Sequence, residues 1–177
     1  MSDFKKTDIT IRQATAADNT LLAVLGARTF YDTFAADNTS ENMASYLAAS
    51  FSPEIQAAEL NDPLSKFLIA QVDNVTVGFA RLKEGRPAMI DIGLRPIEIV
   101  RIYACKEWIG HGVGAKLMQA CLNEAEKRGC DTVWIGVWER NSQAQVFYRK
   151  WGFVKAGTQI FQLGDDPQTD LVMKRPV

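Results

Sequence analysis

Gly110, Gly112 and Gly114 alternate with His111 and Val113 in the stretch IGHGVG, and the helical run AKLMQACLNEAEKR follows at once. Glycine weakens regular structure, so three of them ahead of a helix imply a backbone that must approach something closely. A helix N-terminus carries unpaired N–H groups and a partial positive charge, and its natural guest is an anion. The stretch lacks the Lys-Ser/Thr of a nucleotide-triphosphate loop. It also misses the dinucleotide pattern G-x-G-x-x-G, because Ala115 follows Gly114. The segment CKEW separates the preceding strand from the glycines, whereas a dinucleotide loop leaves its strand directly. A tight turn with glycines for clearance alone is the plainer alternative. Upstream, Glu98 lies on the strand IEIVRIYAC, where residues 97, 99, 101 and 103 alternate against 98, 100, 102 and 104. That alternation puts Glu98 beside Val100 and Ile102. A carboxylate on an apolar face has a raised pKa and suits a general base, while an outward-facing strand carboxylate is the bland reading.

The elements that must position these groups follow from periodicity and punctuation. DITIRQAT alternates and reads as a strand; AADNTLLAVLGARTFYDTF reads as a helix with Asp18 near its exposed amides. NTSENMASYLAASF is a second helix with Ser40 as N-cap, ending before the break at Pro53, and PEIQAAELND is a short third. SKFLIAQVDNVTVGFARLKE is a hairpin turning at Asp73-Asn74. An irregular GRPAMIDIGLRP precedes the strand of Glu98. The glycine loop and its helix follow, ending near Gly129. DTVWIGVW is a strand, and NSQAQVFYRKW is a helix stopped by Gly152 in the left-handed position. GFVKAGTQIFQLG and TDLVMKRPV close as an antiparallel pair. This order predicts an α/β fold, a mixed and mostly antiparallel central sheet flanked by helices, in a single domain over 1–177.

Composition narrows the class. Lys and Arg number 20 against 21 Asp and Glu, a net charge of -1, so no basic excess points to nucleic acid. No apolar run approaches the roughly 20 residues that span a bilayer. MSDFKKTDITIRQ turns polar and alternating too soon for a signal peptide. Cys105, Cys121 and Cys130 do not pair evenly, and with one histidine in the chain their spacing makes no metal motif. They read as reduced thiols of a cytoplasmic protein, with Cys121 packed in the core.

Together, IYACKEWIGHGVGAKLM and NSQAQVFYRKWGF resemble the two signature motifs of the GNAT acetyltransferase superfamily. The first family motif ends in a Gln/Arg-x-x-Gly-x-Gly/Ala loop that binds the pyrophosphate of acetyl-CoA. The second carries Asn-x-x-Ala-x-x-Phe-Tyr and Gly-Phe, which Asn141, Ala144, Phe147, Tyr148, Gly152 and Phe153 match position by position. FYDTFAADNTSENMASYL, EIVRIY, ERN and WGFVKAGTQIFQLGDDPQTDLVM are similar to the PaiA branch, whose members acetylate polyamines such as spermidine and spermine. One position departs from the pattern, since Ile109 stands where the loop usually has Gln or Arg. A backbone N–H survives that change; a polar side chain does not.

The resemblance implies acetyl-CoA as co-substrate, no metal, and direct transfer of an acetyl group to a primary amine. A free ammonium has a pKa of about 10.4, so a base must take its proton. Glu98 matches the position of the family's catalytic Glu, and Tyr148 that of its general acid. A phenol near 10 can protonate a thiolate near 8.5 at modest cost. Backbone groups of Ile102, Tyr103 and Ala104 would hold the pantetheine arm and polarise the carbonyl, with Tyr103 itself a packing residue. Ile109, Gly110, His111, Gly112, Val113, Gly114 and Ala115 would surround the pyrophosphate, with Asn141 and Phe147 against the arm. His111 therefore belongs over the phosphates and not at the thioester. A polyamine calls for spaced carboxylates, and Asp32, Asp37 and Glu41 in one early segment, with Asp165, Asp166 and Asp170 in the last hairpin, are the candidates. Turn-forming acids in solvated loops are the plainer reading of each. The partner expected is a small-molecule amine, with neither nucleic acid nor membrane, and the family implies a homodimer. An acyl-CoA sensor with little turnover, and an acetyltransferase for a protein N-terminus or antibiotic amine, stay open.

Overall fold

The computed structural model describes residues 8–177; the polar start of the chain, MSDFKKT, lies outside them. The first strand, β1 (Thr10–Gln13), is followed by a 3₁₀ turn and α1 (Asn19–Phe34). Asp18 accepts from the Thr15 N–H at 2.7 Å and pairs with Arg12 at 2.8 Å, closing the start of the helix. The Arg12 guanidinium holds that carboxyl down at about 2. Next come α2 (Ser40–Ser50) and α3 (Pro53–Asn61). The N-cap of α2 is Thr39, whose hydroxyl accepts from the Asn42 N–H at 3.2 Å; Ser40, the expected cap, is the first helical residue. Two adjacent hydroxyl residues compete for one role, and the extended backbone of Thr39 decides it.

The hairpin β2 (Ser65–Val72) and β3 (Val75–Glu84) turns where expected, with Asp73 and Asn74 both at positive φ. It is followed by β4 (Pro96–Ala104), α4 (Val113–Lys127), β5 (Thr132–Trp138), α5 (Ser142–Lys150), β6 (Val154–Leu163) and β7 (Asp166–Pro176). The sheet runs β1-β2-β3-β4-β5-β7-β6, and every neighbouring pair is antiparallel except β4–β5. This is the element order and mixed sheet that the sequence predicts.

Helices cover both faces. Leu117, Met118 and Cys121 of α4 pack with Tyr148 of α5 on one face, over Ile97, Ile99, Val133 and Val137. On the other, Leu22 and Leu25 of α1 meet Phe67, Ile69 and Phe79. Gly78 of β3 brings α4 close, since a Cβ there would lie 2.6 Å from the Tyr103 carbonyl and 2.9 Å from Val113. Among the described residues, no helix is long and apolar enough to cross a membrane. Cys105, Cys121 and Cys130 are all free and buried, and burial pushes the Cys121 thiol up to about 12.

Two irregularities in β4 shape the site. Arg101 pairs with Arg81 and Ile99 with Leu82, so Val100 is an extra residue, a β-bulge. The bulge reverses the alternation. Before it Glu98, and after it Arg101 and Tyr103, point to the α1–α3 face. Ile97, Ile99, Ile102 and Ala104 point to the α4 face. The expected grouping of Glu98 with Val100 and Ile102 is therefore wrong, because simple alternation does not survive a bulge. The second irregularity is that β4 pairs with β5 only through Pro96–Thr132, Ile97–Val133 and Glu98–Trp134. Beyond Glu98 the two strands part.

Candidate active site

A cavity of about 720 Å³ fills the gap between the parted strands. Its floor is the free edge of β4 from Glu98 to Ala104, opposite residues 135–138 of β5. Peptide groups on that edge have no strand partner on the β5 side and are available to a ligand. The gap passes from one face of the sheet to the other. On the α4 side it meets the glycine loop, Asn141 and Tyr148; on the α1 side it meets Phe30, Phe34, Tyr46 and the β6–β7 hairpin.

The glycine loop does what its composition requires. Gly110 and Gly112 have φ of +82° and +90°, in the left-handed region that favours glycine. Gly112 is the N-cap of α4, and no side chain caps that end. The first intrahelical bond there runs from the Lys116 N–H to the Gly112 carbonyl, at 3.0 Å. The N–H groups of residues 113–115 therefore point out of the helix start. Gly110, Gly112, Gly114, Ala115 and Ile109 border the cavity. Nothing lies within 4 Å of where a Gly110 Cβ would be, and a Gly112 Cβ would meet only Ile9, at 3.8 Å. An uncapped helix start beside open, glycine-lined space fits a diphosphate. His111 and Val113 do not border the cavity. The His111 ring lies 3.2 Å from the Ile109 carbonyl and edge-on to Trp108, and Val113 is fully buried against the sheet.

Tyr148 reaches the cavity from α5. It packs against Phe147 and Phe153, with ring centroids 5.6 and 5.9 Å away. Burial pushes the phenol above its ordinary value, so it is a protonated donor at neutral pH. Asn141 sits at the N-cap of α5, its side chain accepting from the Ala144 N–H at 3.2 Å. Asn141 thus caps the helix and borders the cavity at once. Ile102, Tyr103, Ala104 and Phe147 border the cavity as well, and Tyr103 packs 6.0 Å from Phe79.

Glu98 stands where β4 and β5 separate. Burial pushes its carboxyl up to about 7, against the opposing pull of Arg81 and Lys83. Those cations belong to a network that sequence reasoning missed. Glu59 of α3 takes Arg81 at 2.7 Å and Arg101 at 2.7 Å, and Arg101 also lies 4.8 Å over the Phe51 ring. Lys83 pairs with Asp62 at 2.9 Å. No local signal links Glu59 to Arg101; the contact is made by packing α3 on the sheet.

Of the six acids expected to receive the acceptor, only Asp170 borders the main cavity. Asp32 lies 3.8 Å from Arg28 on the outside of α1. Glu41 and Asp165 are exposed. Asp37 and Asp166 border a separate pocket of about 140 Å³ with Glu139 and Arg140. The two segments do meet, since the Asp165 N–H donates to Asn42 at 3.0 Å and Gln168 to Asn38 at 2.6 Å. None of these five acids borders the main cavity, because each is a turn or helix-surface residue turned to solvent. The acids that do border it are Glu98 and Asp170. Among the described residues no group of His, Cys, Asp and Glu could hold a metal.

Residues 18–153 match the Acetyltransferase (GNAT) family. The chain is 30% identical over 169 residues to an uncharacterized N-acetyltransferase in the pepI 3′ region of Lactobacillus delbrueckii subsp. lactis, covering 96% of this chain and 98% of that one. It is 36% identical over 154 residues to an uncharacterized N-acetyltransferase of Mycobacterium tuberculosis, covering 87% and 94%. The crystal structure of PaiA N-acetyltransferase from Thermoplasma acidophilum in complex with coenzyme A has the same fold, with a TM-score of 0.75 at 22% identity over 96% and 99% of the two chains.

Proposed function

The chain belongs to the GNAT acetyltransferase family, and from that premise we propose that it acetylates a small primary amine, a polyamine first among the candidates, with Glu98 as base and Tyr148 as acid. It is an acetyl-CoA-dependent N-acetyltransferase. The observation that carries the residue assignment is the parting of β4 and β5 directly after Glu98 and Trp134. That opening sets a half-buried carboxylate on the α1 side and a buried phenol on the α5 side of one cavity.

Acetyl-CoA supplies the acetyl group already activated as a thioester. The chain's own groups do the rest. The uncapped start of α4 and the glycine loop hold the diphosphate, and the free edge of β4 near Tyr103 orients the arm and polarises the carbonyl. The Glu98 carboxylate takes a proton from the acceptor ammonium, directly or through one water, and frees its lone pair. A carboxyl near 7 is poised for that task, since it is about half ionised at neutral pH yet basic enough to accept. The nitrogen, cationic once it has added to the carbonyl, gives up a second proton to solvent as the intermediate collapses. The Tyr148 hydroxyl donates its proton to the sulfur as the C–S bond breaks, and regains one from solvent. Of the two protons the ammonium loses, one balances the proton on the CoA thiol, and the net change releases one proton per turnover.

The polyamine assignment rests on the PaiA resemblance of the β6–β7 hairpin and the early helices, supported by a small pocket of Asp37, Glu139, Arg140 and Asp166 that shares Trp138 and Gln168 with the main cavity. Three free thiols fit a cytoplasmic setting. The testing experiment is release of CoA thiol from acetyl-CoA, with spermidine against a no-acceptor control. Saturable, spermidine-dependent release is expected. Release with other amines but not spermidine would overturn the polyamine assignment and leave the transferase.

A further inference from the structure

Asp170 lies on β7, in register with Trp138 of β5 and Gln159 of β6. Its neighbour across the sheet, Gly136, has no side chain. A Cβ there would fall 3.1 Å from Asp170 Oδ2 and 2.8 Å from Gln159 Nε2. That gap lets the carboxylate lie over the sheet and face the main cavity, which it borders. Asp170 is only 7% exposed. Burial pushes its carboxyl up to about 6, and among the described residues none hydrogen-bonds or ion-pairs with it. Of the cations that border the cavity, Arg101 is bridged to Glu59 and Lys150 stands in the last turn of α5.

A buried carboxylate without a partner is costly and is kept only where something else compensates it. Its surroundings point to a cation. Trp138, Phe34, Tyr46 and Phe161 border the same part of the cavity, with Phe34 and Trp138 6.1 Å apart and Tyr46 and Phe161 5.3 Å apart. Aromatic faces attract ammonium groups. Glu98 opens onto the same cavity and feels the Asp170 charge. Two like charges in one cavity are best satisfied by a ligand with two cationic groups, one at each.

We propose that Asp170 is a specificity-determining residue that binds a second ammonium group of the acceptor, so that the site selects diamines over monoamines of equal length. The proposal rests on the acetyltransferase reading with Glu98 as base, and assigns Asp170 to recognition and not to the chemistry. It separates Asp170 from Asp165 and Asp166, which lie in the same hairpin but outside the cavity.

The experiment compares 1,5-diaminopentane with pentylamine, using the wild-type chain and Asp170→Asn. Steady-state acetylation gives the ratio of the two kcat/KM values. Equilibrium dialysis of each labelled amine, with CoA present, gives binding independently of turnover. The wild type is expected to prefer the diamine, and Asp170→Asn to reduce that preference about tenfold to hundredfold, mainly through KM. The variant should melt no lower than the wild type, because it removes a buried, unpaired charge. An unchanged preference, an equal loss of kcat for both amines, or wild-type binding that does not distinguish the two would each overturn the proposal. If no amine is turned over, the function reading fails, while loss of diamine binding in the variant still upholds the recognition role.

Discussion

Glu98 and Trp134 form the last paired step between β4 and β5, and the cavity opens from the next residue onward. Glu98 is thereby held at a paired point of the sheet while it borders the gap.

If Glu98 is the base, kcat/KM for the amine should rise about tenfold per pH unit below 7 and level off above it, because the deprotonated form is the active one. Glu98→Gln should remove that limb and lower kcat by about a hundredfold to ten-thousandfold. The same shift has a stability consequence of opposite sense. A carboxyl raised from about 4.3 in the unfolded chain binds its proton more tightly when folded, so its contribution is present below that value and lost as pH rises through 7. Glu98→Gln should therefore flatten the fall in melting temperature between pH 4.5 and 7. A pH–rate profile unchanged by the substitution would place the base elsewhere.

Tyr148 is predicted to separate chemistry from binding. Tyr148→Phe keeps the ring contacts with Phe147 and Phe153 and deletes only the hydroxyl. The expected loss is about a hundredfold or more in kcat, with the dissociation constant of CoA nearly unchanged. Calorimetric CoA titration beside steady-state rates would check it; weakened CoA binding at unchanged kcat would make Tyr148 a wall and not an acid.

The Glu59 bridge should be a stability element with a catalytic echo. Removing its charge leaves Arg81 and Arg101, both largely buried, without an anion between them. Breaking such a pair costs about 3–5 kcal/mol, or roughly 6–15 °C in melting temperature for a chain of this size. Arg81 and Arg101 already draw the Glu98 carboxyl downward. Freed from Glu59, they should draw it further, so Glu59→Gln is expected to move the acid limb of kcat/KM below 7. Thermal melts and a pH profile of the same preparation test both effects.

Much of this arrangement was readable from the chain, and what was not has physical reasons. The Asp73-Asn74 turn, the Gly152 stop and the glycine loop are local: each residue type carries its own conformational signal. The bulge at Val100 is not local. IEIVRIYA reads as unbroken alternation, and only pairing with β3 shows that one residue is extra. That Asp170 borders the cavity while Asp165 and Asp166 do not was hidden for the same reason. Asp165, Asp166 and Asp170 sit within six residues of one another, but their directions depend on strand register and on the empty space at Gly136. Glu59 and Arg101 are 42 residues apart and meet only after α3 docks.

The glycines of the loop should differ in what they tolerate. Gly112 has a φ of +90° at the N-cap of α4, and an alanine there would be held in the left-handed region at about 1–2 kcal/mol. Gly114 lies inside the first turn of α4 with no positive φ, and a Cβ would meet Phe147 at 3.5 Å, an ordinary contact. Alanine is also the better helix former by up to about 1 kcal/mol. Gly112→Ala should therefore lower the melting temperature and raise KM for acetyl-CoA, because the backbone that frames the helix start must shift. Gly114→Ala should hold or raise the melting temperature. Differential scanning calorimetry of the two variants decides between a loop whose glycines all serve the same purpose, which would give equal losses, and one in which the positive-φ glycines carry the backbone requirement and Gly114 does not.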